Sequence, residues 1–221
     1  MKTCVIIPTY NEAKSITNLI SQIRSQNLEV IVVDDGSSDD TAKIARQCGA
    51  ITIQNQNNEG KGTSLIKGFD YALKNDFDAV ITMDGDGQHL PEDIPYFMRL
   101  AKYSDSDILI GNRMHKTRNM PWVRFVTNRL MSRFISCLAK QRIFDTQCGF
   151  RLIKKDVLKK VRLITSKYET ESEILIQAAR LGYKINSLAV KTVYTGTKSQ
   201  INPLRDTFRF ISYILGTMFV R

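Results

Sequence analysis

Residues 79–89 read Ala-Val-Ile-Thr-Met-Asp-Gly-Asp-Gly-Gln-His, a short apolar run that ends in two aspartates separated by one glycine. The run has the length and the β-branched content of a buried strand, and the glycines predict a turn after it. Two earlier segments repeat the succession: Cys4–Pro8 is followed by Thr-Tyr-Asn-Glu, and Val30–Val33 by Asp-Asp-Gly-Ser. Polar, mostly acidic turns therefore come directly after buried strands.

Helical segments separate these strands. Four apolar residues share one predicted helix face: Ile16, Leu19, Ile20 and Ile23. Further helices are predicted over 41–48, 62–73 and 92–103, and further strands over 51–53 and 108–111. Strands that alternate with helices of this length form βαβ units. The prediction is an α/β fold with a mainly parallel central sheet, in which ligands bind beyond the carboxyl ends of the strands.

The turn over 84–88 has the composition of a divalent-cation site. Asp84 and Asp86 offer two carboxylates, Gln88 offers a third oxygen, and Gly85 lets diphosphate oxygens approach the backbone closely. The turn therefore predicts a site for a hard divalent cation. The alternative for an isolated Asp-x-Asp is a polar turn without a ligand. Neither a GxGxxG fingerprint nor the spacing of a P-loop is present.

The charge of the chain is divided unevenly. The 221 residues carry a formal net charge of +10. Residues 1–110 contain 10 basic and 16 acidic side chains, whereas residues 111–221 contain 22 basic and 6 acidic ones. Such a basic half predicts a polyanionic partner, which is a nucleic acid, a phosphorylated substrate or an anionic membrane surface.

Two segments of the basic half have the pattern of interfacial helices. Residues 120–138 place apolar side chains at helical spacing with Arg124, Arg129 and Arg133 between them, and residues 203–221 repeat the apolar pattern. The alternative for 120–138 is a core helix whose arginines face water. No run of about 20 apolar residues is present to span a bilayer, and the first residues lack the pattern of a secretory leader. We expect a cytoplasmic protein that lies peripherally on the cytoplasmic face of the membrane.

Seven segments, in order along the chain, carry a resemblance to a known family. Four in the first half are Val-Ile-Ile-Pro-Thr-Tyr-Asn-Glu from Val5, Val-Val-Asp-Asp-Gly-Ser-Ser-Asp from Val32, Asn-Glu-Gly-Lys-Gly from Asn58 and Met-Asp-Gly-Asp-Gly-Gln-His from Met83. Three in the second half are Gly-Asn-Arg from Gly111, Asp-Thr-Gln-Cys-Gly-Phe-Arg from Asp145 and Glu-Thr-Glu-Ser-Glu from Glu169. The chain resembles the GT-A glycosyltransferases of family 2, and among them the dolichol-phosphate (polyprenyl-phosphate) mannose or glucose synthases.

This resemblance implies a Rossmann-like GT-A fold in a single domain over 1–221. Its parts are a nucleotide-sugar half over 1–111, an acceptor half over 112–201 and a C-terminal amphipathic helix over 202–221. The implied reaction is metal-dependent, inverting transfer of a hexose from a GDP- or UDP-linked sugar to a polyprenyl phosphate at the membrane surface. The implied partners are the nucleotide sugar, the lipid phosphate and the anionic membrane surface, and nucleic acid is not among them. A membrane-protein partner or self-association stays open.

The resemblance also assigns residues to roles. The nucleotide-sugar residues are Pro8, Tyr10, Glu12, Asp34, Asp35, Lys61, Asp84, Gly85 and Asp86. The implied cofactor is Mg²⁺ or Mn²⁺, and its ligands are Asp84, Asp86 and Gln88. The catalytic residues are Asp86, Arg113, Arg124, Glu171 and Glu173. The two arginines are implied to hold phosphate groups of the donor or the acceptor, and the two glutamates to lie near the transferred sugar.

The acceptor decides whether a general base is needed. A lipid phosphate is already an anionic nucleophile, whereas a sugar hydroxyl must lose a proton to a carboxylate such as Asp145, Glu171 or Glu173. The alternative for the glutamates is an exposed acidic helix start, which the helix dipole favours. The chain departs from the family where an arginine is expected near a Gly-x-Ser-Lys stretch, because Tyr194 stands there and Lys198 or Arg205 is left to compensate.

Three other functions remain as alternatives. A family-2 transferase with a sugar-hydroxyl acceptor would act in cell-surface glycan synthesis. A haloacid-dehalogenase-like phosphatase is suggested by the Asp-Gly-Asp-Gly turn at residue 84, although that fold carries its motif on the first strand. A nucleic-acid binder would use the basic half, but the acidic turns would then repel the phosphate backbone.

Overall fold

A seven-stranded sheet forms the centre of the computed structural model, which describes residues 1–115 and 122–193 apart from the side chains of His115 and Arg124. The strands are β1 Thr3–Thr9, β2 Glu29–Asp34, β3 Ile51–Gln54, β4 Ala79–Thr82, β5 Ile108–Asn112, β6 Arg151–Lys154 and β7 Ile185–Ala189. Their order across the sheet is β3-β2-β1-β4-β6-β5-β7. Every pairing is parallel except those of β6, which runs antiparallel to β4 and β5. The prediction of a mainly parallel sheet is confirmed.

Helices cover this sheet. They are α1 Ile16–Arg24, α2 Thr41–Gln47, α3 Lys61–Lys74, α4 Ile94–Tyr103, α5 Trp122–Ala139, α6 Lys155–Lys160 and α7 Glu169–Arg180. The helices and strands predicted in the first half are confirmed to within three residues at their ends. None of the helices in the described part of the chain is long and apolar enough to cross a membrane. The C-terminal helix predicted over 203–221, and the residues Tyr194, Lys198 and Arg205, lie outside the described residues.

Burial of β1 on both faces anchors the core. All seven residues of β1 are buried, and Val30 to Asp34 of β2 are buried beside it. The predicted inner face of α1 is confirmed, since its four isoleucine and leucine residues are at most 3% exposed. Strands covered on both faces read as continuous apolar runs, which is the pattern that the sequence shows here.

The carboxyl ends of β1 and β4 separate, and this opens the cleft of the fold. The β1–β2 register runs on to Thr9 and Asp34, whereas the β1–β4 register stops at Ile6 and Thr82. Counted along β1, the pairing with β4 therefore ends three residues before the pairing with β2 does. The acidic turn that begins at Asp84 lies in the space so created.

The antiparallel strand β6 delivers a second segment to the same edge. Its first residue, Arg151, pairs with the last residue of β4, Thr82. The residues that precede β6, from Asp145 to Phe150, consequently lie at the carboxyl end of the parallel strands. Sequence analysis missed β6, because its four residues Arg-Leu-Ile-Lys are too few to show a period.

Candidate active site

The acidic turn after β4 is held by its neighbours in the cleft. The Asp86 Oδ1 atom accepts a hydrogen bond of 3.0 Å from the backbone N–H of Gln88. The Ser15 hydroxyl, just before α1, donates a bond of 2.6 Å to the Gly85 carbonyl. A Cβ atom at Gly85 would lie 2.9 Å from the Thr9 side chain. Glycine is therefore needed at this position for packing, in addition to any approach by a ligand.

Lys61, the first residue of α3, joins the turn to the first turn of α7. Its ammonium lies 2.6 Å from Asp84 Oδ1 and 3.0 Å from Glu171 Oε2. Burial alone would lower the pKa of Lys61, but the two carboxylates raise it above its usual range. Burial would likewise raise the pKa of Asp84, but Lys61 holds it well below its usual range, with help from Arg113. The structure thus brings together Lys61, Asp84 and Glu171, all predicted as site residues.

Two residues without a predicted role confine the Asp84 carboxylate. A Cβ atom at Gly149 would lie 2.6 Å from Asp84 Oδ2, so the loop before β6 packs directly on the carboxylate. His89 is 2% exposed, and its Nδ1 atom accepts a bond of 3.4 Å from the Asp84 backbone N–H. Burial lowers the pKa of His89, which keeps the ring neutral. Both residues belong to segments that carry the family resemblance, which is the signal that marked them.

Glu12, just after β1, is repelled by the two aspartates of the acidic turn. Burial raises the pKa of Glu12 to about 7, and repulsion from Asp86 and Asp84 adds to the rise. Its carboxylate accepts a bond of 3.3 Å from Ser15. Glu12 therefore feels the negative charge of both aspartates of the turn.

Asp34 and Asp35 hold the loops that follow β2 and β3. Both Asp35 oxygens accept backbone N–H bonds, 2.9 Å from Glu59 and 2.8 Å from Gly60. Asp34 accepts a bond of 3.2 Å from the Ser37 N–H as well as the Ser37 hydroxyl bond. Both carboxylates are almost fully buried. Pro8 and Tyr10 stand beside them at the end of β1, and the nucleotide-binding roles of all four stay predictions.

Arg113 forms a buried ion pair at the end of β5. Its Nε and Nη2 atoms donate bonds of 2.8 and 3.0 Å to the two oxygens of Asp145. Arg113 is 6% exposed and Asp145 is completely buried. A bidentate pair of this kind fixes the guanidinium in one orientation. The phosphate-holding role predicted for Arg113 is untested, and the side chain of Arg124 lies outside the described atoms.

Arg151 organises the loop before β6 and the start of α7. The guanidinium donates to the carbonyls of Thr146, Cys148 and Glu171 at 2.9, 2.8 and 2.6 Å. Its Nη2 atom also lies 3.8 Å from Glu171 Oε1. Arg151 is 1% exposed and is the largest fully buried side chain of the described residues. Arg151 is the last residue of the motif that begins at Asp145, and sequence analysis assigned it no role.

Glu171 and Glu173 point to different surroundings. Glu173 is completely buried, and its carboxylate accepts N–H bonds of 3.1 Å from Ile164 and 3.0 Å from Thr165. The Thr165 hydroxyl donates a third bond of 2.6 Å. The expected alternative of an exposed acidic helix start is wrong, because residues two apart on a helix face different sides and both sides are covered here. Glu173 supports the loop before α7, and its catalytic role stays a prediction.

The family follows from comparison with known proteins. Residues 4–162 match the model of Glycosyl transferase family 2. The chain belongs to glycosyltransferase family 2. As a member it is a hexosyltransferase, and the implied GT-A fold is confirmed.

The chain is similar in sequence to two members of glycosyltransferase family 2 that are named for dolichyl phosphate. It is 32% identical over 86% of its length to the UDP-N-acetylglucosamine–dolichyl-phosphate N-acetylglucosaminyltransferase of Methanococcus voltae, covering 85% of that protein. It is 34% identical over 80% of its length to the dolichol-phosphate mannosyltransferase of Pyrococcus furiosus, covering 53% of that protein.

A solved structure of the same fold is glucosyl-3-phosphoglycerate synthase from Mycobacterium tuberculosis, in complex with Mn²⁺, UDP and glucosyl-3-phosphoglycerate. The TM-score is 0.72 at 20% identity, over 98% of this chain and 78% of that one. At this identity the likeness concerns the fold alone.

Proposed function

We propose that this glycosyltransferase moves a hexose from a nucleotide sugar to a polyprenyl phosphate at a membrane surface, with inversion at the anomeric carbon. The observation that carries the proposal is the convergence of Asp84, Asp86, Lys61 and Glu171 at one edge of the sheet. Segments far apart in the sequence supply them, and their charges suit a metal–diphosphate donor. The names of the two family relatives, both of which act on dolichyl phosphate, support the acceptor class.

A divalent cation fits the acidic turn. No group of three His, Cys, Asp or Glu side chains arranged to hold a metal occurs among residues 1–115 and 122–193. Mg²⁺ is nevertheless commonly bound by one or two carboxylates, with substrate phosphates completing its shell. Asp84 and Asp86 supply such a pair of carboxylates. We assign Asp84 and Asp86 as the ligands of Mg²⁺ or Mn²⁺, with Gln88 beside them.

The chemistry needs charge stabilisation more than proton removal. Departure of a nucleoside diphosphate leaves negative charge on its oxygens, which the metal ion would stabilise when bound. Lys61 and Arg113 add positive charge from the protein. The three carboxylates considered as general bases are all engaged in ion pairs or hydrogen bonds: Asp145, Glu171 and Glu173. This engagement favours the lipid phosphate over a sugar hydroxyl, because an anionic nucleophile needs no base.

The donor can be tested with a panel of UDP- and GDP-linked sugars, with Mn²⁺ or Mg²⁺ and with a polyprenyl phosphate as the acceptor. We expect either the UDP-linked or the GDP-linked sugars to release nucleoside diphosphate, and we expect a metal chelator to stop that release. Hydrolysis of p-nitrophenyl phosphate together with inertness toward every nucleotide sugar would contradict the proposal and favour the phosphatase alternative.

The outer face of α5 suits the membrane surface where such an acceptor resides. Its exposed apolar side chains are Trp122, Val123, Leu130 and Phe134. Val123 and Leu130 lie seven residues apart and hence on the same face, while Arg129 and Arg133 are exposed beside them. Apolar side chains flanked by arginines are typical of helices that lie in an anionic bilayer surface. We assign this face to the membrane contact.

Replacing Val123 and Leu130 by glutamate should weaken membrane binding. We expect at least about a tenfold loss of binding to vesicles that contain phosphatidylglycerol, because two apolar side chains no longer enter the interface. Flotation of the protein with vesicles measures it. The matched control is Leu181→Glu, which changes a leucine that is 52% exposed just after α7. Equal flotation of both variants, or binding of the unaltered protein that ignores lipid charge and salt, would contradict the assignment.

A further inference from the structure

The position of Lys61 between two carboxylates has a consequence for metal binding. Its ammonium lies 2.6 Å from Asp84 Oδ1, the oxygen of a proposed metal ligand, and 3.0 Å from Glu171 Oε2. Its side chain is 19% exposed. A divalent cation bound to the same Asp84 oxygen and an ammonium within hydrogen-bond distance of it would repel each other strongly in so poorly solvated a site.

The backbone around Lys61 is fixed by close packing on the segment before α7. A Cβ atom at Gly60 would lie 2.5 Å from the Ser166 carbonyl, and one at Gly62 would clash with the Thr170 hydroxyl. The Thr63 N–H donates a bond of 3.1 Å to the Ser166 carbonyl. Glycine at 60 and 62 therefore serves this contact between the two halves of the chain. Lys61 leaves the backbone from the middle of the contact, which limits where its ammonium can go.

Glu171 is held in turn from the opposite side. The buried Arg151 guanidinium donates to the Glu171 carbonyl at 2.6 Å and lies 3.8 Å from its carboxylate. The Glu171 side chain is only 12% exposed. Glu171 is thus a fixed anion that keeps a partner for Lys61 even when Asp84 is taken by another cation.

We infer that Lys61 is an internal counter-cation of Asp84, which competes with the divalent metal until a nucleoside diphosphate binds. Without nucleotide, the ammonium neutralises Asp84 and weakens metal binding. With nucleotide, the diphosphate adds negative charge to the site, and the ammonium withdraws from Asp84 toward Glu171 and the phosphate oxygens. Lys61 thereby couples metal binding to donor binding. The inference rests on the proposed metal ligands and adds a specific order of events to them.

The test is Mn²⁺ binding to the purified full chain, followed by the electron paramagnetic resonance signal of free Mn²⁺, with UDP and GDP present or absent. For Lys61→Met we expect Mn²⁺ to bind about tenfold more tightly without nucleotide, because the competing charge is gone. The nucleotide should then tighten Mn²⁺ binding much less than it does in the unaltered protein. Lys67→Met is the matched control, since that lysine is on the same helix but bonds to Asn55 and Glu59.

Glu171→Gln should have the opposite effect. Deprived of its second carboxylate, the ammonium stays on Asp84, and Mn²⁺ should bind at least about threefold more weakly. The effect should disappear in the double variant with Lys61→Met, because Glu171 acts through Lys61. An equal loss in both backgrounds would mean that Glu171 acts on the metal by its charge alone, which overturns the coupling.

Asp84→Asn distinguishes the proposed metal site from the proposed role of Lys61. If Asp84→Asn abolishes Mn²⁺ binding while Lys61→Met leaves it unchanged or weaker, the counter-cation role is wrong and the metal site stands. If Asp84→Asn binds Mn²⁺ as the unaltered protein does, the proposed metal site is wrong and the role of Lys61 falls with it.

Discussion

Replacing Asp86 by alanine is expected to lower the rate of sugar transfer by about a thousandfold while leaving the fold intact. A metal ion contributes several kcal/mol to the stabilisation of a leaving diphosphate, and about 4 kcal/mol corresponds to this factor. Within the described part of the chain, Asp86 accepts one hydrogen bond, from the Gln88 N–H, and it has a repulsive neighbour in Glu12. Its removal therefore costs the fold little.

The measurement is nucleoside diphosphate release at saturating Mn²⁺, together with a thermal melt of each variant. Asp70→Ala, on the exposed side of α3, is the control for removal of a carboxylate. Full turnover by Asp86→Ala under these conditions would remove the metal assignment. An unfolded Asp86→Ala variant would contradict the claim that the residue serves chemistry more than stability.

Replacing Asp145 by alanine is expected to give the largest loss of stability. Asp145 is completely buried, and it accepts both guanidinium bonds of Arg113 as well as the backbone N–H bonds of Arg113 and Gln147. Removing one partner of a buried pair leaves an uncompensated charge and lowers the free energy of unfolding by about 3–5 kcal/mol. For a chain of this size the melting temperature should fall by about 10 °C.

A double variant separates stability from chemistry at this pair. Arg113→Met combined with Asp145→Leu fills the site with apolar groups and should regain most of the lost stability. If Arg113 holds a phosphate group, transfer stays impaired in that refolded variant. Asp76→Ala is the control, because its ion pair with Lys155 lies on the surface and should contribute nothing measurable. Denaturant unfolding that ranks Asp76→Ala with Asp145→Ala would contradict the structural role of the buried pair.

The acidic turn and the parallel strands were predictable because their signals are local. The strand that ends at Thr82 and the turn from Asp84 are contiguous, and so are the periodic residues of α1. What the sequence could not supply are contacts between distant residues. Lys61 and Glu171 are 110 residues apart, and their pairing depends on packing of two glycines against the segment before α7.

Sequence spacing was also misleading where residues are near neighbours. Glu171 and Glu173 look like one acidic cluster in the sequence, yet the α7 helix turns one toward Lys61 and the other toward the Thr165 loop. The antiparallel strand β6 was missed for a related reason. Its pairing with Thr82 is set by tertiary contacts that bury Arg151, a residue type that periodicity assigns to the surface.

Transfer of labelled hexose into lipid tests the central claim most directly. The protein would be incubated with Mn²⁺, the nucleotide sugar that the donor panel selects, and vesicles that carry either polyprenyl phosphate or the unphosphorylated polyprenol. We predict label in the organic phase with polyprenyl phosphate only, lost on chelation of the metal. Label that stays in water, or that passes equally well to a soluble sugar hydroxyl, would contradict a polyprenyl-phosphate hexosyltransferase.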